Sequence, residues 1–164
     1  MLSDAFKRRK FGKLTGNAGE YFVMGELLRR GFDAQLADRN TKDYELLVGY
    51  TADSALQKIH IRTTEREPWH LKVDDFTYGS LEIITIYVLL GSVELKNPVR
   101  FFIAKNRDLA KHIHQPSELY AHSFMSVRAV LPYEDRWDCL DTASPAIDPT
   151  LGAAPGPAAP ANFT

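Results

Sequence analysis

The stretch that decides the fold is residues 40–64, NTKDYELLVGYTADSALQKIHIRTT. Two strands are legible in it. Residues 44–48 form a short apolar run opened by two carboxylates, Asp43 and Glu45, and preceded by the turn-rich segment 38–41. Residues 57–64 alternate, which puts Lys58, His60, Arg62 and Thr64 on one face and Ile59, Ile61 and Thr63 on the other. Asp43 and Glu45 are two apart, so an extended backbone turns both to the same side.

Upstream, residues 17–30 place Tyr21, Met24, Leu27 and Leu28 at helical spacing, and Gly31 supplies a stop. Residues 32–37 then read as a first strand. Downstream, residues 81–90 are a nearly continuous apolar run rich in Ile and Val, which suits a strand covered on both faces in the middle of a sheet. Residues 99–104 are its expected neighbour. Asn106 is placed to cap a short helix through residue 112, a late strand is expected over 124–131, and Pro132 opens a last helix in which Tyr133, Trp137 and Leu140 share a face. From residue 143 onward Ala, Pro and Gly dominate, with too few large apolar side chains to offset the entropy of ordering. The expected organisation is a basic N-terminal arm over 1–13, one α/β domain over 14–142 and a disordered tail over 143–164.

The bulk properties agree with one ordinary globular domain. In 164 residues, 45% are hydrophobic and 25% charged, so the chain can bury a core without staples. Cys139 is the single cysteine, which rules out an intramolecular disulfide and a thiolate zinc site and points to a reducing, cytoplasmic setting. No apolar run is long enough to span a bilayer, and no secretory leader follows the basic start. The net charge of −1 argues against uniform polyanion binding, yet Lys7, Arg8, Arg9, Lys10 and Lys13 concentrate positive charge at one end. P-loop, dinucleotide and nucleophile-elbow motifs are missing, which removes the sequence support for nucleotide hydrolysis and acyl transfer. His112 and His114 do not share a helix face, and Trp69 and Trp137 read as core anchors.

Each polar candidate has a plain structural reading. Glu20 lies three residues after Asn17, as in a capping box. Lys58, His60 and Arg62 fit the wet face of a half-exposed strand. Their order along the chain says more. Gly19-Glu20 in a helix, then residues 40–48, then residues 59–64 together resemble the core of the PD-(D/E)xK nuclease superfamily, in particular its Holliday-junction-resolvase-like branch. The resemblance implies a restriction-endonuclease-like three-layer α/β fold, with a mixed central sheet flanked by helices.

By that resemblance Glu20 is the helix carboxylate and Glu45 the acid of the second motif, with Asp43 an alternative register. His60 and Arg62 occupy the places of a Glu or Gln and a Lys, so the third motif is degenerate. In the family, carboxylates hold one or two Mg2+ or Mn2+ ions that generate hydroxide and neutralise charge in phosphodiester hydrolysis. The implied metal ligands are Glu20, Asp43, Glu45 and His60, and the implied catalytic set is Glu20, Glu45, His60 and Arg62. Arginine keeps the charge of lysine and does not deprotonate in proteins, and histidine suits borderline metals better than magnesium. The resulting expectation is a protein that engages DNA through Lys7, Arg8, Arg9, Lys10, Lys58 and Arg62, with an altered metal-dependent endonuclease site. The alternatives are an inactive nuclease-fold module that binds nucleic acid or a protein partner, and an immunity or inhibitor protein on the same scaffold. Superfamily members often work as dimers, so a homodimer is compatible with either reading.

Overall fold

The computed structural model describes residues 4–38, 44–49, 56–72, 76, 78–113 and 122–143. Helix α1 (Asp4–Arg29) is followed by β1 (Asp33–Leu36), β2 (Leu46–Gly49) and β3 (Gln57–Thr64). Next come β4 (Trp69–Lys72), β5 (Ile84–Leu89), β6 (Arg100–Lys105), the short α2 (Asn106–Leu109), β7 (His122–Met125) and the short α3 (Val127–Val130). One five-stranded sheet has the order β1-β2-β3-β5-β6, and β4 pairs with β7 in a separate ribbon. The sheet is mixed. β3 runs parallel to β5, while every other pair in it is antiparallel.

β3 and β5 sit where the alternation and the apolar run put them, and β5 is an interior strand, flanked by β3 and β6. Each face of the sheet carries its own core. On one face Val23 and Leu27 of α1 pack with Ile59, Ile61, Ile84, Ile86, Val88, Ile103, Trp137 and Leu140. On the other, Tyr87, Phe102 and Ala104 are covered by Trp69, Leu71, Leu109, Met125 and Val130. The face of β3 that carries His60 is therefore wet only at its ends: His60 is 8% exposed, while Lys58 is exposed and Arg62 and Thr64 are half-buried.

Several expected elements are corrected. Residues 4–13, expected to form an arm, are the opening turns of α1, because Lys and Arg are good helix formers and no proline interrupts them. Asn17 thus lies inside the helix, so the capping-box reading of Glu20 fails. The buried stripe of α1 is Val23 and Leu27, with Met24 partly covered, while Tyr21 and Leu28 face outward at 61% and 53% exposure. Asn106 is not a cap: its buried side chain accepts from the Thr85 hydroxyl at 2.7 Å and donates to the Ser80 carbonyl at 3.0 Å. The late strand ends at Met125, because Ser126 caps α3 by accepting from the Ala129 N–H. The last helix is two 3-10 pieces, Leu131–Tyr133 and Trp137–Ala143, separated by Asp135 at φ 52°. Trp137 and Leu140 join the first core as expected, whereas Tyr133 packs on the second. The expected tail lies outside the described residues from position 144. No described helix is long and apolar enough to cross a membrane.

Arg100 on β6 holds Glu134 with two parallel hydrogen bonds, at 2.6 and 2.8 Å. Those bonds keep the Glu134 carboxyl below its ordinary value and the guanidinium above its own. A carboxyl lowered in the folded state adds stability above its unfolded pKa and loses it as pH falls through the folded value. Both side chains are 33% exposed, so the pair contributes at most about 1 kcal/mol after solvent screening. In urea titrations, wild type should exceed Glu134→Gln by that margin at neutral pH, and the gap should close below about pH 4. A gap that persists in acid rules the ion pair out as its source.

Candidate active site

α1 crosses one face of the sheet closely because residue 19 is glycine. A Cβ there would collide with the Thr63 side chain of β3, whose Cβ atom would be only 2.8 Å away. The close approach brings the next residue, Glu20, to the sheet margin. Lys13, Asn17 and Glu20 follow at i, i+4 and i+7, so one face of α1 presents all three.

They line a cleft of about 420 Å³ together with Tyr21, Asp38, Tyr44 and Glu45. Tyr44 and Glu45 reach it because β2 and β3 part there. The Glu45 N–H still donates to the Ile59 carbonyl, at 3.0 Å, and its carbonyl accepts from the Ala37 N–H at 2.9 Å. Two positions further along β3, the Ile61 N–H finds no strand partner on that side and donates to Glu45 Oε2 at 3.0 Å. The other oxygen, Oε1, accepts from the Arg62 guanidinium at 3.2 Å, and the same Arg62 nitrogen donates to the Ile61 carbonyl at 3.1 Å. Glu45 and Arg62 are 32% and 23% exposed, so the pair stands at the rim rather than in bulk water.

The motif residues are therefore only partly brought together. Glu20 and Glu45 share the cleft, while Arg62 bonds to Glu45 without lining it. His60 does not line it; strand alternation turns it away from Ile59 and Ile61, in the row with Thr85 on the second face. Lys58 is exposed and places its ammonium 5.2 Å from the Tyr44 ring centroid. Lys7, Arg8, Arg9 and Lys10 lie in the first turns of α1. Asp43 and His114 lie outside the described residues. Lys13, Asn17 and Tyr44 were not singled out as site residues from the sequence. Their signal was helix register: Lys13 and Asn17 stand seven and three positions before Glu20 on one face.

A magnesium centre needs several carboxylate or carbonyl oxygens with free lone pairs. Each Glu45 oxygen already accepts from a protein donor, one of them the cationic Arg62, and among the described residues no three His, Cys, Asp or Glu side chains are grouped closely enough to hold an ion. The described donor set does not fit such a centre.

This architecture has counterparts among solved structures. A bacterial homing endonuclease, I-Ssp6803I, superposes over 80% of this chain and 92% of its own, with a TM-score of 0.50 and 11% identity. The chain has a nuclease fold. Hjc, a Holliday junction resolvase from the archaeal hyperthermophile Archaeoglobus fulgidus, aligns over 79% of this chain and 97% of its own, with a TM-score of 0.49 and 14% identity. At such identities the likeness is one of fold: a restriction-endonuclease-like α/β core with a mixed five-stranded sheet between helices. No family model and no curated protein matches the chain.

Proposed function

We propose that this nuclease-fold chain engages DNA through the cleft between α1 and the start of β2, and that an ion pair has replaced metal-dependent cleavage there. The observation that carries this reading is the bonding of Glu45. Its two oxygens, which the resemblance assigns to a metal, are taken by the Ile61 N–H and the Arg62 guanidinium. Arg62 in turn is not available as a tunable base, since guanidinium stays protonated in proteins. What the cleft offers a phosphate is Lys13 at its exposed rim, with the basic opening turns of α1 leading up to it. The solved neighbour with this fold is an endonuclease, which supports DNA as the partner class.

A second reading keeps the enzyme. Glu20 and Glu45 do line one cleft, and a substrate phosphate competing for Arg62 would free one Glu45 oxygen. One experiment separates the two. The full chain is incubated with labelled branched, single-stranded and duplex DNA, with Mg2+ or Mn2+ and with chelator, alongside Glu45→Ala, Arg62→Ala and Lys13→Ala. Binding that survives chelation, falls steeply with salt, and loses about one unit of salt slope in Lys13→Ala is the expected result. Metal-dependent cleavage abolished in both Glu45→Ala and Arg62→Ala establishes the enzyme instead. DNA neither bound nor cut removes the nucleic-acid reading altogether.

A further inference from the structure

Several charges among the described residues are neutralised locally. Arg29 and Arg30 pair with Glu26, Arg62 with Glu45, Arg100 with Glu134, Lys105 and Arg107 with Glu82, and Arg136 with Asp138. One hollow gathers cations that lie outside these pairs. Between the 3-10 helix Ala110–His112 and α3, Lys111, His112, Arg128, Ser126 and Tyr133 line a depression of about 450 Å³ with no carboxylate among the lining residues. Among the described residues neither Lys111 nor Arg128 makes an ion pair, and both side chains are exposed.

We infer that this hollow is a phosphate-binding site, distinct from the cleft at α1, and that it takes the phosphate of a nucleotide. The donor chemistry fits the phosphate. Residues bearing an ammonium, a guanidinium and an imidazole line the same hollow, and the Tyr133 and Ser126 hydroxyls can donate as well; Ser126 already accepts from Ala129 and keeps its own proton to give. The surroundings fit the nucleotide. His112 and Ser126 also border an adjoining depression of about 540 Å³, whose other walls are Pro68 and the partly covered ring of Phe124. Phe124 is fixed edge-on to His70 at 4.9 Å, which leaves an aromatic surface beside the phosphate donors, where a base or sugar can pack. Basic and purely apolar ligands have no matching groups there. The assignment does not depend on the reading of the α1 cleft, because the two sites share no residue.

The test is a chemical-shift titration of the full chain with inorganic phosphate, with a nucleoside 5′-monophosphate and with a single-stranded oligonucleotide. Wild type is compared with Lys111→Ala/Arg128→Ala, with Phe124→Leu and with Lys13→Ala. Saturable shifts at His112 and Arg128 are expected with all three probes, the nucleotide binding about tenfold tighter than phosphate because of the aromatic wall. The double variant should lose all three responses, and its exposed positions should leave the melting curve unchanged. Phe124→Leu should bring the nucleotide down to the level of phosphate, and Lys13→Ala should change none of the shifts at His112 or Arg128. A response to phosphate and nucleotide without one to the oligonucleotide identifies a free nucleotide as the source and still supports the site. Wild type that shows no saturable shift with phosphate or nucleotide at His112 and Arg128 overturns the inference, whatever the α1 cleft does with DNA. Phosphate binding that survives the double variant overturns it equally.

Discussion

Trp69→Ala should cost about 3–5 kcal/mol, enough to unfold a domain of ordinary stability or bring it close to unfolding. The indole is 1% exposed and stands at the centre of the second core. It meets Tyr87 edge-to-face at 5.5 Å between centroids and Phe102 at 5.8 Å, and its N–H donates to the Val88 carbonyl at 3.2 Å. Truncation leaves a cavity bounded by two strands of the main sheet, which cannot collapse into it. Trp69→Phe separates the parts: the ring contacts largely persist while the Val88 carbonyl loses its donor, so the loss should fall to about 1–3 kcal/mol. Urea unfolding followed by circular dichroism measures both. A loss below about 1 kcal/mol for Trp69→Ala would mean that the β4–β7 ribbon contributes little to the global fold.

Gly19→Ala is the second large effect, and its sign is decided by competition. Alanine favours a helix interior over glycine by about 1 kcal/mol, so an open helix would gain. Here the added methyl meets the Thr63 hydroxyl, its methyl and its Cβ at once, and Cβ cannot rotate away. Overpacking of this kind costs about 1–3 kcal/mol, so a net loss is expected, with displacement of Glu20 from the cleft margin. Gly25→Ala serves as the control on the same helix. Nothing lies within 4 Å of a Cβ at that position, so it should stabilise by about 0.5–1 kcal/mol. Combining Gly19→Ala with Thr63→Ala should recover part of the loss. If Gly19→Ala stabilises as much as Gly25→Ala, α1 does not press on β3 as described.

The residues that were legible from the sequence share a property: their pattern is imposed by a buried surface. β3 alternates because Ile59 and Ile61 face α1 while the other side carries polar residues, and β5 is apolar apart from Thr85 because both its faces are covered. β4 escaped notice since Trp69, His70, Leu71 and Lys72 follow Pro68 and form only four residues, too short for a period to register. The first turns of α1 escaped for the opposite reason, being charged with no apolar stripe of their own. Val127–Val130 looks like strand by its residues, yet a hydroxyl at Ser126 and Pro132 beyond it close a helical turn. In the site, Glu20 and Glu45 were readable because a motif order singled them out. The bond between Arg62 and Glu45 was not, since it depends on β2 and β3 parting beyond Ile59, which spacing does not encode. Lys13 was visible as one charge among five; only the angle of the helix assigns it to the cleft.

The pairing of Trp69 with Met125 also bears on how the chain is made. During synthesis from the N-terminus, α1 through β6 are complete before β7 has emerged, and until then the cover over Tyr87 and Phe102 lacks Met125 and Val130. The nascent sheet must keep that aromatic surface from sticking to other chains while the ribosome adds the residues that will cover it. Among the strand pairs described, β4 with β7 spans the longest interval of chain, so its loop is the most costly of them in entropy to bring together.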